Sequence, residues 1–294
     1  VAEGEVWTIG RVLSWAADDL RARGDDTPRL DAEVLLGFVL GVDRIGLIVD
    51  SARPLAKDEL TRYRELHKRR RLGEPVAYLR GFREFYGRPF RVDARVLVPR
   101  PDTEVLVEVA LARTVDRSLS TRVLDLCTGS GCVAITFAKE RPNAYVLGTD
   151  VSEGAVAVAR DNALRLGAVP WTWFRRSDLF ADLGLARPRF DLVTANPPYI
   201  PEPEIATLAP TIKDFEPRIA LSGGDDGLDL VRRIVREAPV HLAPGGVLAM
   251  EIGAGQAEAV AGLFEARGFV DVERTKDLAG IERVVSGVWR GDRP

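Results

Sequence analysis

The residues best suited to chemistry are Asn196-Pro197-Pro198-Tyr199, directly after the apolar run Leu192-Val193-Thr194-Ala195. Consecutive prolines stiffen the exit from a strand and remove two backbone donors, which leaves carbonyl oxygens free to accept. Asn196 adds a side-chain oxygen acceptor, and Tyr199 adds a flat apolar face. This set suits a planar –NH2 group, with one hydrogen on the Asn196 oxygen, the other on the Pro197 carbonyl, and the π system against Tyr199. An amide nitrogen is a poor nucleophile because its lone pair is delocalised into the carbonyl. Two acceptors on its hydrogens raise electron density on nitrogen and aim the lone pair at an electrophile. Toward an already activated methyl group, such as that of a sulfonium, orientation and electrostatics suffice without a strong base. That agrees with a chain whose only histidines are His67 and His241. Asn196, Pro197 and Tyr199 are therefore the expected catalytic residues, and Pro198 completes the substrate clamp.

A second constellation lies upstream. The apolar segment Val123-Leu124-Asp125-Leu126 runs into Cys127-Thr128-Gly129-Ser130-Gly131, and a helical pattern follows. Glycines let a backbone turn tightly beside a ligand, and a helix N-terminus favours a bound anion. The next strand pattern ends in Thr149-Asp150, about 20 residues on, where an acid can accept both ribose hydroxyls. Gly129, Gly131 and Ala134 also satisfy the G-x-G-x-x-A form of dinucleotide sites. Asp125 argues against a pyrophosphate, because an acid at the strand end repels it and attracts a cationic sulfonium or amino group. A nucleoside-containing ligand is expected here.

These segments need a scaffold that brings strand ends together. Buried strands are expected at Val123–Leu126, Tyr145–Thr149, Asp191–Ala195 and Val247–Ile252. Helical patterns lie between them, around Val133–Glu140, Glu153–Leu166 and Leu228–Ala238. Such alternation predicts an α/β domain with a largely parallel sheet covered on both faces. Phe269–Thr275 and Arg283–Trp289 read as an antiparallel pair at the end. The region before residue 76 reads as helices: one capped by Thr8, one opened by Thr27-Pro28 and closed at Gly41, and one over Lys57–Leu72. Phe82–Val92 reads as a hairpin around Gly87. The expected organisation is a helical domain over 1–75, a hairpin linker over 76–101 and the α/β domain over 102–294. The long stretch from Ile200 to Gly227 is expected to form a lid over the substrate. Lys68-Arg69-Arg70-Arg71 reads as a solvated helix end.

The composition narrows the function classes. With 294 residues, 46% of them hydrophobic, the chain can bury a core, and a net charge of −3 speaks against affinity drawn from a broad phosphate-binding surface. Two cysteines, Cys127 and Cys132, exclude a disulfide framework, and no metal site is expected. No run of about 20 apolar residues occurs, so a cytoplasmic protein that does not engage a membrane is expected. An adenine-N6 methyltransferase acting on nucleic acid uses a similar clamp, but would need to flip a base and hold phosphate. A non-catalytic module that keeps the nucleoside pocket as structure is the third reading.

The chain resembles the HemK/PrmC family of glutamine-N5 methyltransferases. The resemblance rests on Glu74–Leu79, Glu84–Gly87, Val98-Pro99-Arg100-Pro101-Asp102-Thr103-Glu104, the glycine loop, Asn196–Tyr199 and Phe215-Glu216-Pro217. It implies a Rossmann-like S-adenosylmethionine-dependent methyltransferase domain with a seven-stranded sheet whose C-terminal strand is antiparallel. It further implies that Cys127, Thr128, Gly129, Ser130 and Gly131 wrap the methionine part of S-adenosylmethionine and that Asp150 holds the ribose. Asp178 and Leu179, with Ser177 and Phe180, would line the adenine, with Asn196 beside the cofactor. The implied substrates are class I peptide chain release factors, methylated on the glutamine of their Gly-Gly-Gln motif and gripped in part by the helical domain. A monomer is expected, with no direct nucleic-acid partner. Cys127 stands where release-factor enzymes usually have glycine, and Leu179 stands where many have tryptophan. The Cys127 variant resembles the branch that methylates a ribosomal protein glutamine, which is the alternative substrate.

Overall fold

The structure is a computed structural model that describes residues 6–114, 120–183 and 189–291. Two compact units emerge: one comprises the described residues up to Gly81 with Pro210–Phe215, the other the remaining described residues. Val76–Gly81 cluster with the first unit and the hairpin with the second.

The first unit is helical. In α1 (Ile9–Arg21) the Thr8 side chain accepts from the Arg11 N–H, and Ile9, Val12, Leu13, Ala16 and Leu20 are buried. Pro28 opens α2 (Pro28–Leu40), and Gly41 closes it in the left-handed conformation at φ 69°. Two short helices, α3 (Arg44–Val49) and α5 (Val76–Arg80), flank the longer α4 (Lys57–Arg71). Of the basic run at the end of α4, Lys68, Arg69 and Arg71 are exposed, as at a solvated helix end, and Arg70 departs from it. Arg70 is buried and its guanidinium donates to Asp31 at 2.6 Å and to Asp25 at 2.5 Å, while Arg71 pairs with Asp19 at 2.9 Å and Arg69 with Glu74. Asp25 before α2 and Asp31 in its first turn draw Arg70 inward, a pairing that helix periodicity alone does not reveal. His67 is buried between Trp15 and Tyr63 and shares 3.0 Å with Asp19 Oδ2.

The second unit opens with the hairpin β1 (Phe82–Phe85) and β2 (Arg88–Arg91) and continues through α6 (Glu104–Arg113). It then alternates β3 (Thr121–Leu126), α7 (Cys132–Glu140), β4 (Ala144–Asp150), α8 (Glu153–Arg165), β5 (Thr172–Arg176) and β6 (Phe190–Ala195). After β6 the stretch to Gly227 carries two 3-10 turns and, in the segment that belongs to the first unit, the short α9 (Pro210–Lys213); α10 (Asp229–His241), β7 (Leu242–Glu251), α11 (Ala257–Arg267), β8 (Val270–Lys276) and β9 (Glu282–Trp289) follow. The seven-stranded sheet has the order β5-β4-β3-β6-β7-β9-β8. Its first five strands are parallel, and β9 runs antiparallel between β7 and β8. The α/β fold expected from the sequence is therefore the one formed. Side chains of β3 alternate between two core layers, Val123 to one face and Leu124 and Leu126 to the other.

Sheet order reverses between β3 and β6, and parallel α/β sheets leave a crevice at such a switch point. Leu126 is in register with Ala195. The glycine loop and the Asn-Pro-Pro-Tyr segment thus leave neighbouring strand ends side by side.

Candidate active site

Asp125 sits one residue inside the end of β3 and is 1% exposed. Its Oδ2 accepts from the Thr128 hydroxyl at 2.6 Å and its Oδ1 from the Thr194 hydroxyl at 2.7 Å. Burial pushes its carboxyl up to about 6, against the pull of those hydroxyls. The loop then turns through Cys127 at φ 54°, Gly129 at φ 55° and Gly131 at φ 78°. Gly131 has no room for a side chain, since a Cβ would lie 3.0–3.2 Å from Ile135, Ala159 and Phe174. At Gly129 a Cβ would meet only the Cys127 carbonyl, at 4.0 Å. Asn162 of α8 anchors the loop by donating to the Ser130 carbonyl at 2.9 Å, and it also binds the backbone of Arg91 in the hairpin.

Asp150 ends β4. Its Oδ2 accepts from the Gly129 N–H at 3.0 Å and its Oδ1 from the Ser152 N–H at 2.9 Å, so each oxygen keeps a lone pair for a ligand. Burial raises its carboxyl above the ordinary carboxylate range, opposed by those N–H groups. Beyond β5, the Ser177 hydroxyl donates to the Leu179 carbonyl at 2.8 Å and holds Leu179 at φ 51°. Arg233 of α10 pairs with Asp178 at 3.0 Å.

Asn196 follows β6. Its Nδ2 donates to the Thr103 hydroxyl at 3.2 Å, with Oδ1 at the other edge of the amide as an acceptor. The Tyr199 hydroxyl is 3.2 Å from Oε1 of the buried Glu251, at the end of β7. Tyr199 is fastened at its backbone too: Gln256 Nε2 donates to its carbonyl at 3.0 Å. Burial, with Glu251 next, drives the Tyr199 phenol above its ordinary range, so it stays protonated.

A cavity of about 250 Å³ joins these elements. Cys127, Thr128, Gly129, Ser130, Asp150, Asp178, Leu179, Asn196 and Pro198 line it, as do Asp125 and Ser177. Gly131, Pro197 and Tyr199 are outside its lining. Gly131 shapes the turn, and the other two belong to the clamp at its edge. The strand and loop patterns did not single out Arg100, Thr103, Ala220, Ile219 and Leu230, which also line the wall, with Pro217. Arg100 and Thr103 were visible only within the resemblance. Ile219 and Leu230 carried no signal, since an apolar residue in a loop or on a helix looks the same whether it packs or lines a slot.

Comparison with known proteins bears on this geometry. The model of the PrmC N-terminal domain matches residues 11–81, and that of the methyltransferase small domain matches residues 103–210. The release factor glutamine methyltransferase of Geobacter sulfurreducens is 47% identical over 283 residues, covering 96% of this chain and 97% of that protein. The chain belongs to the release factor glutamine methyltransferase family. A second family member, from Cereibacter sphaeroides, is 44% identical and covers 93% of this chain and 96% of its own length. A methyltransferase from Pyrococcus furiosus shares the fold, with a TM-score of 0.53 at 18% identity over 71% of this chain and 91% of that one. Membership makes the chain a methyltransferase with S-adenosylmethionine as cofactor.

The cavity fits that cofactor. Leu179, Ile219, Ala220 and Leu230 offer an apolar slot for a base. Asp150 retains acceptor capacity for ribose hydroxyls, and Gly129 presents open backbone. Ser130 Oγ is buried without a partner, and Asp125 is an acid of the sign that a sulfonium or ammonium requires.

Proposed function

We propose that this methyltransferase acts on the glutamine of the Gly-Gly-Gln motif in class I peptide chain release factors, placing the methyl group on the N5 side-chain nitrogen. The observation that carries the reading is the Asn196 amide at the cavity wall: Nδ2 donates to Thr103, and Oδ1 is the edge that can accept from a substrate. A glutamine side chain supplies the complementary –NH2.

S-adenosylmethionine supplies a methyl group already activated by its sulfonium. Cys127–Gly131, Asp150, Asp178, Leu179 and Asn196 are the residues proposed to hold it. The protein must orient the amide nitrogen for in-line attack. Asn196 Oδ1 and the Pro197 carbonyl take the two amide hydrogens, and Tyr199 and Pro198 restrict the plane of the group. Once it had taken the methyl group, the nitrogen would carry one hydrogen too many and would release it as a proton to water, while Asn196 Oδ1 and the Pro197 carbonyl hold the group in place. No strong base is required.

The helical unit is proposed to grip the release factor. A monomer working in the cytoplasm on protein substrates goes with this reading; the net charge of −3 and the absence, among the described residues, of a helix able to span a membrane support it. Methyl transfer from labelled S-adenosylmethionine to a purified class I release factor, beside its Gly-Gly-Gln glutamine-to-alanine variant, tests it. Label on the unaltered factor alone is expected. Label on neither, with cofactor binding intact, would overturn the substrate and turn attention to a ribosomal protein glutamine and then to adenine.

A further inference from the structure

Glu251 is a carboxylate at the end of the continuously buried stretch of β7, where apolar residues precede it, and it is 1% exposed. Burial pushes it up to about 7, while the Thr103 and Tyr199 hydroxyls favour its charged form. Both hydroxyls also belong to the clamp. Tyr199 is a member of it, at 3.2 Å from Glu251 Oε1, and Thr103 receives the Asn196 amide at 3.2 Å. Glu251 Oε2 is buried without a hydrogen-bond partner, so it has an acceptor site to spare for the hydroxyl of Thr103.

The polarity of this chain of groups decides what Asn196 offers. A hydroxyl carries one hydrogen. An ionised Glu251 can only accept, so it draws the hydrogens of Thr103 and Tyr199 toward itself. Thr103 then has lone pairs alone to present to Asn196, which must turn Nδ2 to Thr103 and Oδ1 away from it. A protonated Glu251 donates, which frees the Thr103 hydrogen to point at Asn196 and favours the flipped amide. The flipped amide presents a donor where the incoming –NH2 needs an acceptor.

We propose that Glu251 is the positioning residue of the clamp, setting through Thr103 and Tyr199 which end of the Asn196 amide faces the substrate. The proposal rests on the reading of Asn196–Tyr199 as the amide-binding segment. The charged neighbours of Glu251 are few. Asp102 disfavours its ionisation and Arg283 of β9 favours it, and these two pair with each other at 3.0 Å. Arg283 is also held by Asp277 at 3.0 Å, and Cys132 at the start of α7 is neutral, its thiol pushed up to about 12 by burial.

The test is Glu251→Gln, which keeps the shape and removes the titration. In the unaltered protein the acid limb of kcat toward a release factor should follow a group near pH 7. In the variant, kcat should drop by about 10²-fold, that limb should vanish, and the dissociation constant for S-adenosylmethionine should stay within about twofold. A readout free of any substrate accompanies it: the side-chain amide resonances of Asn196 in 15N-labelled protein should titrate near pH 7 in the unaltered chain and stay flat in the variant. Should the variant not fold, Thr103→Val cuts the same chain and is expected to lose kcat alike, with Thr103→Ser restoring it. Amide resonances that titrate identically in both proteins, or Thr103→Val with unaltered kcat, would overturn the proposal. Failure of the substrate reading is a different result, namely no methylated release factor with the unaltered enzyme, and the resonances still decide the role of Glu251.

Discussion

Arg100 Nη2 donates to Oε1 of Glu216 at 2.6 Å, joining a side chain 32% exposed to one that is 2% exposed. Arg100 lines the cavity, and Glu216 immediately precedes Pro217, which lines it too, with Ile219 and Ala220 shortly after. The pair therefore fastens the loop after β6 to the segment before α6, and Glu216 Oε2 takes the Val98 N–H at 3.4 Å as well.

Glu216→Gln keeps the shape and removes the charge. Breaking a fully buried pair costs about 3–5 kcal/mol, and partial exposure of Arg100 reduces this to about 1–3 kcal/mol. Urea unfolding should show that loss. Cofactor affinity should weaken by about three- to tenfold by calorimetry, because the wall formed by Pro217, Ile219 and Ala220 is less well held. A variant with the parent's midpoint and affinity would show that the pair fastens nothing.

Asn196→Ala removes the acceptor and the group that Thr103 receives. Asn196 is half-buried at the cavity wall, so the truncation leaves little void and stability should change by less than about 1 kcal/mol. Turnover should fall by about 10²–10³-fold, the scale of losing one preorganised polar contact at a reacting atom. Circular dichroism with single-turnover kinetics separates the two effects. Full turnover in this variant would remove Asn196 from the mechanism.

The strands that build the switch point were legible because buried parallel strands are continuous apolar runs, as in Leu192–Ala195. The 3.6-residue rhythm of α8 and α10 was legible for a similar reason. α3 was not. It has six residues, of which Leu47 is buried while Ile45, Ile48 and Val49 are exposed, so one inward residue among outward apolar ones leaves no periodicity to mark. β7 begins at Leu242, five residues before the expected Val247, because Pro244-Gly245-Gly246 reads as a turn while the register shift beside Phe190 accommodates it within the ladder. At the site, Asp125 and Asp150 declared themselves by ending apolar strands. Glu251 ended one as well, but its significance lies in Thr103 and Tyr199, which only the fold brings to it.

Cys127 and Leu179 both hold positive φ, at 54° and 51°. For an L-residue that conformation costs roughly 1–2 kcal/mol, and glycine adopts it freely. Cys127→Gly relieves that strain and forfeits the packing of a half-buried thiol, so stability should move by no more than about 1 kcal/mol. Methyl transfer should persist, because the loop is held by the Thr128 and Gly129 N–H groups, on the Thr149 carbonyl at 2.9 Å and Asp150 at 3.0 Å. Burial also raises the Cys127 thiol far above its ordinary value, so iodoacetamide at pH 8 should leave it unlabelled in the folded protein. Loss of transfer in the glycine variant, or rapid labelling of the parent, would assign the thiol a chemical role.

Asp125 links the site to pH-dependent stability. Its carboxyl, ordinarily at 3.8, titrates at about 6 in the folded chain because burial disfavours its charge. Between those values the unfolded chain has released this proton and the folded chain has kept it, so the folded state binds more protons and stability falls as pH rises. The group's contribution is therefore greatest below pH 4 and is lost by about pH 7, a change of about 3 kcal/mol for a shift of this size. Asp125→Asn removes the titration while retaining an acceptor for one of the two threonine hydroxyls, and the other can turn to accept from the new amide. Glu251, Asp150 and Glu216 are shifted upward as well and contribute the same slope to both proteins, so the difference between parent and variant isolates Asp125. Urea unfolding at pH 4.5 and pH 7.5 should show the variant gaining about 2 kcal/mol on the parent between the two conditions. Parallel stability curves would mean that Asp125 is already ionised in the folded chain, and the threonine hydroxyls, not burial, would then dominate its environment.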